Sequence, residues 1–254
     1  MKKSKTSLLF GIPIQAITMT EALDIIHRTI QNHGKLQIGV VNAAKVVNMR
    51  RNQKLGEDVL SSDLILADGA SVVLASRILG KPLPERVTGI DLMMGMLERG
   101  NIHGYRVYCF GATETVSLKV ADKIKNDYPN VILAGRRNGY FSDADEESIA
   151  QNIADSQADI LLVAITSPKK ENFLARWSEK MGVAICHGVG GSFDVLAGEV
   201  ERAPESWQKM GLEWLYRLKQ EPGRLWKRYL VTNSLFCWLV LKEFFANMLQ
   251  RKVL

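Results

Sequence analysis

Regular alternation of short apolar runs with helical stretches, from Leu36 to about Asp194, predicts an α/β fold. The sheet it implies is Rossmann-like and mostly parallel, with helices on both faces, followed by a C-terminal basic helical appendage. Three observations carry this reading. The apolar runs are rich in Val, Ile and Leu, and each ends on Asn, Asp-Gly, Gly or Ser-Pro. Between them the apolar residues fall at helical spacing, and strand–helix alternation of this kind builds parallel sheets with right-handed crossovers. After Asp194 the alternation stops and the charge balance changes. The division expected is a core over residues 1–201 and an appendage over 202–254.

Taken in order, Met1-Lys2-Lys3-Ser4-Lys5 resembles the basic start of a signal peptide. The apolar stretch after it is short, broken by Gly11 and Pro13, and followed by no small-residue cleavage pattern, which reads as a cytoplasmic chain. Thr18 and Glu21 stand in capping-box spacing before the apolar face Ala22, Ile25, Ile26 and Ile30. Leu36–Val41 reads as a strand that delivers Asn42, with a helix then running to about Asn52. The run Leu64-Ile65-Leu66-Ala67 ends abruptly in Asp68-Gly69. A helix with Val72, Val73, Ala75, Ile78 and Leu79 follows, then a Pro-flanked loop carrying Glu85 and Arg86, and a helix from Ile90 to Glu98.

Further along, Arg106–Phe110, Val131–Ala134, Ile160–Ile165 and Val183–Cys186 read as strands. Helices to Asp127, from Asp143 to Ser156 and from Lys169 to Lys180 alternate with them. In such sheets ligands bind at the carboxyl ends of the strands. Asn42, Asp68, Gly111, Ser167 and the Gly188–Gly191 turn would then share one edge. Asp68 has two readings on local sequence alone: a reacting carboxylate, or a cap on the following helix.

With 254 residues, 46% hydrophobic and 24% charged, the chain can bury a sizeable core and is not disordered. Cys109, Cys186 and Cys237 are far apart, and the first two sit in strand-like runs as buried thiols. No CxxC, HExxH or paired Cys/His spacing occurs, so no metal site is expected. His187 lies near the glycine-rich turn and reads as a packing or supporting residue.

The net charge of +6 belongs to the appendage: from Arg202 onward ten Lys/Arg face four acidic residues, and four of the five tryptophans are there. Trp207, Trp214, Trp226 and Trp238 alternate with basic residues in helical spacing, with Pro222-Gly223 as a break. A separate apolar helix is expected over Leu235–Leu249. A run ending at Lys242-Glu243 is too short to span a bilayer, which needs roughly 20 apolar residues. A basic, Trp-rich amphipathic tail matches an interfacial membrane segment, and a helical layer packed on the sheet is the alternative. The same interleaving of basic residues with Leu and Trp speaks against nucleic acid as the partner.

Of the glycine turns, Gly111-Ala112-Thr113 lacks the full GxGxxG pattern, and no acidic residue ends the next strand, so a dehydrogenase reading is weak. Gly188-Val189-Gly190-Gly191 could bring backbone amides onto a diphosphate, or could simply be a tight turn. Arg86, Arg217, Arg224 and Arg228 are suited to phosphate oxygens. Two other classes stay open at this point: a Rossmann-like nucleotide-dependent enzyme of another type, and a non-catalytic membrane-attached scaffold.

A set of motifs occurs in order. They are LADG at Asp68-Gly69; Pro84-Glu85-Arg86-Val87-Thr88-Gly89 with Asp91; Asn138-Gly139-Tyr140-Phe141; Ser167-Pro168-Lys169 with Glu171; Gly188-Val189-Gly190-Gly191 with Phe193-Asp194; and Arg202-Ala203-Pro204 followed by Gly211-Leu212-Glu213-Trp214-Leu215-Tyr216-Arg217-Leu218. Together these resemble the WecG/TagA/CpsF glycosyltransferases (glycosyltransferase family 26), from about Phe10 to about Leu230. The resemblance implies an inverting hexosyltransferase that moves a sugar from a UDP-sugar to a polyprenyl-diphosphate-linked sugar. It implies a role in cell-surface polysaccharide assembly, of the teichoic acid or enterobacterial antigen type, with peripheral attachment to the inner face of the membrane. No cofactor or catalytic metal is implied; the resemblance raises the chance of homo-oligomers, while the sequence itself shows no interface pattern.

Residue by residue, the resemblance makes Asp68 the general base and Asn42 and Arg86 pocket residues. It makes Arg217 and Arg224 appendage arginines that close the site, with Arg228 a neighbouring candidate. Two positions depart from the family pattern: Val40 stands where a Thr is common, and Lys170 where a Gln is. Losing a hydroxyl and gaining a cation points to a different donor sugar, one with a carboxylate or an extra polar group.

Overall fold

The computed structural model describes residues 6–253, with the side chains of Arg224 and of residues 250–253 outside that description. Six strands form one parallel sheet: β3 (Leu36–Val41), β4 (Leu64–Ala67), β5 (Arg106–Gly111), β6 (Ile132–Arg137), β7 (Ile160–Ala164) and β8 (Ile185–Gly188), in the order β4-β3-β8-β7-β5-β6. The α/β class is therefore as the alternation predicts. A hairpin precedes the sheet, β1 (Thr6–Leu9) and β2 (Ile12–Gln15), antiparallel to one another. Gln15 Oε1 accepts the Ile65 N–H at 2.9 Å, fixing the hairpin to the outer edge of β4.

Both faces of the sheet are covered, and the strand residues divide between them with period two. On one face Leu64, Leu66, Val107, Cys109, Ile160 and Leu162 pack against α1 (Met19–Gln31), α5 (Gly89–His103), α6 (Glu114–Asp127) and α9 (Ser192–Leu196). On the other, Ile65 and Ala67 meet α2 (Ala43–Arg51), α3 (Gln53–Leu60) and α4 (Ala70–Ile78). Tyr108, Phe110, Leu161 and Val163 meet α7 (Glu146–Asp155) and α8 (Lys169–Met181) on that same side. Cys109 and Cys186 are buried free thiols, each pushed up to about 12 by burial.

Several boundaries have clear local causes. Thr18 caps α1 through a complete capping box with Glu21. The helix expected to run to about Asn52 ends there, at Arg51, and a further helix outside that expectation follows because the Asn52 side chain accepts the Leu55 N–H at 3.0 Å. β8 lies two residues later than its apolar run suggests, reaching His187 and Gly188.

The largest difference is at the C-terminus. After α10 (Glu205–Lys209) and α11 (Glu213–Gln220), one continuous helix, α12, runs over Pro222–Val253. Pro222 opens it, where a missing N–H costs nothing. The Thr232-Asn233-Ser234 run does not interrupt it: the Thr232 hydroxyl donates to the Arg228 carbonyl one turn back, at 2.7 Å. Leu225–Leu249 is thus long and apolar enough, by length and composition, to cross a membrane. Its inner flank is taken up by protein, however. Phe236, Leu239 and Val240 are buried in the cluster that holds the hairpin and α2, and Phe236 packs on Phe10 with ring centroids 5.3 Å apart. Glu243 accepts the Phe10 N–H at 3.1 Å and pairs with Lys81 at 3.6 Å.

Candidate active site

The carboxyl ends of β3 and β4 are paired neighbours, and each releases a polar side chain onto the same edge. Asn42, the residue after β3, caps α2: its Oδ1 accepts the Lys45 N–H at 3.0 Å. That fixes the oxygen and leaves the amide nitrogen for Asp68, with which Asn42 hydrogen-bonds. Asp68 follows β4, and its own N–H donates to Val41 O at 2.8 Å, continuing the ladder. The Arg86–Val87 loop folds back over this end, with Val87 N–H donating to Ala67 O at 2.9 Å.

Asp68 does not cap α4. The capping position there is Gly69, and no side chain bonds to the first turn. The carboxyl instead meets the backbone N–H of Gly89, the first residue of α5, so it faces the positive end of a 15-residue helix. Burial pushes the Asp68 pKa above its ordinary value; Arg217, the Gly89 N–H and the Asn42 amide pull it down, and Glu213 adds a smaller upward push. Burial wins, which makes the half-buried carboxylate a better base than a free aspartate. His187 supports the same edge from below. It is fully buried, its Nε2 lies 3.1 Å from Gly89 O, and burial lowers its pKa to about 4, so it is a neutral structural donor.

A second ionic group lies on the other side of β3. Glu171 sits between Lys45 (2.5 Å) and Lys170 (3.1 Å), with Ser167 Oγ 3.4 Å from Lys45 Nζ. Burial pushes Glu171 up, but the two ammonium groups overcome it and hold the carboxyl at about 2. Burial and the neighbouring Lys45 lower the pKa of Lys170, while Glu171 and Asp68 oppose the shift. Gly188 makes room for this lysine: a Cβ there would lie 2.5 Å from Lys170 Nζ. The cavity beneath, lined by Val40, Lys45, Lys170 and Glu171, has a volume of about 20 Å³, room for one water. Any ligand larger than a water would therefore have to lie above these residues, on the open edge. A larger cavity of about 410 Å³ opens at the opposite, amino-terminal edge, among His33, Lys35, Gln157 and Lys180, away from Asp68.

The other residues singled out in the sequence fall into three groups. Arg217 acts on Asp68 directly, and Arg86 reaches the same edge through Glu213. Arg86 pairs with Glu213 at 2.5 Å, and Arg217, one turn further along α11, acts electrostatically on Asp68 while staying exposed to solvent. The appendage thus already covers the carboxylate. Gly190 and Gly191 are exposed on the turn after β8, two strands from β4. Gly111 lies four strands away, roughly 19 Å at ordinary strand spacing. Its glycine requirement comes from backbone packing, since at φ +134° a Cβ would lie 2.3 Å from Ala164 O. Arg228 is exposed on α12, and the side chain of Arg224 lies outside the described residues.

Sequence reasoning missed Lys45, Glu171, Arg202 and Glu213 as members of this site. Glu213 has one readable signal, its i,i+4 relation to Arg217 on a single helix face. Arg202 bonds Asp91 at 2.6 Å, and Asp91 is itself hydrogen-bonded to Thr88, the cap of α5. Among the described residues no group of three or more His, Cys, Asp or Glu could hold a metal ion.

A carboxylate raised by burial, with Arg217 and Lys170 acting on it, can accept a proton beside cations suited to anionic oxygens. The family model described as the glycosyl transferase WecG/TagA/CpsF family matches residues 7–250. An N-acetylglucosaminyldiphosphoundecaprenol N-acetyl-beta-D-mannosaminyltransferase of Bacillus spizizenii W23 is 40% identical over 175 residues, 68% of this chain and 67% of its own length. A protein of the same name from Bacillus subtilis 168 is 33% identical over 241 residues, 94% of this chain and 92% of its own. The match to the family runs through the sheet, the Asp68 edge and the appendage alike, and the chain belongs to the WecG/TagA/CpsF family of glycosyl transferases.

Proposed function

We propose that this glycosyltransferase is an inverting enzyme that moves a hexosyl group from a UDP-sugar to a hydroxyl of a polyprenyl-diphosphate-linked sugar, in the assembly of a cell-surface polysaccharide. The observation that carries the reading is Asp68: a carboxylate at a strand end, raised by burial, faced by Asn42, the α5 amino terminus and Arg217. Asp68 takes the proton of the acceptor hydroxyl as that oxygen bonds to the anomeric carbon. The bond to the UDP oxygen breaks on the opposite face, and the configuration inverts. The departing diphosphate needs positive charge beside it, and Arg86 and Arg217 are the guanidinium groups at this edge that supply it.

The names of the two relatives support an acceptor that is an N-acetylglucosaminyl group on a diphosphoundecaprenol, and an N-acetylmannosaminyl group as what is transferred. Lys170, paired with Glu171 where the family pattern has Gln, favours instead a donor that departs from that neutral N-acetylhexosamine by a carboxylate or an added polar group. Guanidinium groups standing where charge develops support chemistry without a divalent ion. A peripheral membrane position is supported by α12, whose outward flank exposes Trp226, Leu230, Trp238, Leu241, Phe245 and Leu249 beside Lys227, Arg228 and Lys242.

The test is a UDP-release screen of several UDP-sugars with a polyprenyl-diphosphate-N-acetylglucosamine acceptor, with and without chelator. Acceptor-dependent UDP release that survives EDTA is expected. No release with any donor sinks the reading, and loss of release on chelation sinks its metal-free part.

A further inference from the structure

Glu213 opens α11, and its carboxylate lies between two guanidinium groups that belong to different parts of the chain. Arg86, from the loop after α4, reaches Oε2 at 2.5 Å; Arg202, from the segment before α10, brings Nε to 3.7 Å from Oε1. The far arm of Arg202 is held by Asp91 at 2.6 Å, so the guanidinium is fixed in place independently of Glu213. The separation of 3.7 Å is too long for a hydrogen bond. Arg202 Nε is correspondingly buried with no hydrogen-bond partner. A salt bridge whose only task were docking would close that gap. Two forks converging on one small anion, with a donor left unmet, is how guanidinium groups receive phosphoryl oxygens.

The surroundings fit an exchangeable occupant. The three side chains keep 22–28% of their exposure, so an ion from solvent can reach them. Glu213 and Arg217 share one face of α11, and both act on Asp68 from above. α11 is brought this close by Gly211, which lies against α4: at φ +74° a Cβ there would come 2.5 Å from the Ala70 Cβ. Glu213 is therefore both a tether for the appendage and an acid standing where anionic substrate is wanted.

We propose that Arg86 and Arg202 form an anion seat that Glu213 fills in the ligand-free enzyme, and that a diphosphate displaces the Glu213 carboxylate and takes up the unmet Arg202 Nε–H. The proposal rests on the glycosyl-transfer reading above, since that reading is what makes diphosphate the ligand class. Closure of the appendage is then self-limiting. The tether holds α11 over Asp68 until substrate competes for the same arginines, and its release also loosens Arg217, one turn along the same helix.

The experiment is calorimetric titration of the full chain with inorganic pyrophosphate, in wild type, Glu213→Gln and the double variant Glu213→Gln/Arg202→Met. Removing the competing charge while keeping its shape should tighten pyrophosphate binding about fivefold, and removing Arg202 as well should abolish the gain. Unchanged or weaker binding by Glu213→Gln, or a gain that survives loss of Arg202, overturns the seat. Amide hydrogen exchange on the wild type gives an arm that needs no variant. Saturating pyrophosphate should speed exchange several-fold across residues 211–216 as the tether lets go, and unchanged or slowed exchange there also overturns the proposal. Tighter pyrophosphate binding without UDP release from any donor would instead leave the seat standing and remove the glycosyl-transfer reading.

Discussion

Asn42 hydrogen-bonds the Asp68 carboxyl with the same side chain whose oxygen caps α2. The cap fixes which way the amide points, so the Asp68 carboxyl is oriented by helix architecture rather than by a free rotamer. The hydrogen bond and Arg217 favour the ionised form; burial opposes it and prevails.

From that balance, Asp68→Asn should fold as the wild type does and lose on the order of 10²-fold or more in turnover. The acid limb of kcat/KM should lie above the ordinary aspartate value of ~3.9, because the base must be ionised and its pKa is raised. Arg217→Gln removes a group that lowers this pKa, so it should move the limb to higher pH. A limb at the ordinary value, or one shifted downward by Arg217→Gln, contradicts the assignment.

Glu171 holds two buried ammonium groups at 2.5 and 3.1 Å. Glu171→Gln leaves both without a counter-charge and should cost about 3–5 kcal/mol in urea unfolding. The folded pKa of about 2 lies below the ordinary value of 4.5, so this stabilisation is complete above pH 4.5 and is lost as pH falls toward 2. The difference between wild type and variant should narrow over that window. A constant difference across it would mean that Glu171 acts through packing alone.

Lys170→Gln should change donor choice. With the ammonium gone, a UDP-sugar bearing a carboxylate should lose about tenfold in kcat/KM, and neutral UDP-sugars should change by less than about threefold. Identical donor preferences in the two proteins would leave Lys170 as a structural partner of Glu171.

The two flanks of α12 should behave oppositely. Trp226→Ser with Leu230→Gln lies on the exposed flank, where the pair should cost no more than about 1 kcal/mol yet reduce binding to anionic liposomes about tenfold. Phe236→Ala lies on the buried flank and should cost about 3–5 kcal/mol. Liposome binding untouched by the first variant would remove the membrane role of that flank.

What the sequence made legible follows the range of the signal. The α1 capping box and the strands at Leu36–Val41 and Leu64–Ala67 are local patterns, and they are where the patterns put them. The hairpin is not readable, because its two-residue loop is Phe10-Gly11, with φ +55° and +79°, and phenylalanine carries no turn signal. Asp68, Asn42, Arg86 and Lys170 could be singled out because strand ends and motif order mark them. Which of them meet depended on the order β4-β3-β8, and on α11 lying across the edge. Glu213 and Arg202 answer to partners 127 and 111 residues away, a relation no local pattern records.

The bond between Phe10 and Glu243 closes 233 residues of chain, and it sets an order of assembly. Every strand of the sheet is synthesised before α12, so during translation the face formed by the hairpin and α2 waits uncovered while the Asp68 edge is already laid down. Closing so long a loop is slow relative to the local helices and the neighbouring strand pairs. The helix long and apolar enough to cross a membrane is therefore the last to find its place, and its outward tryptophans take up their exposed positions only on a chain whose sheet has had time to form.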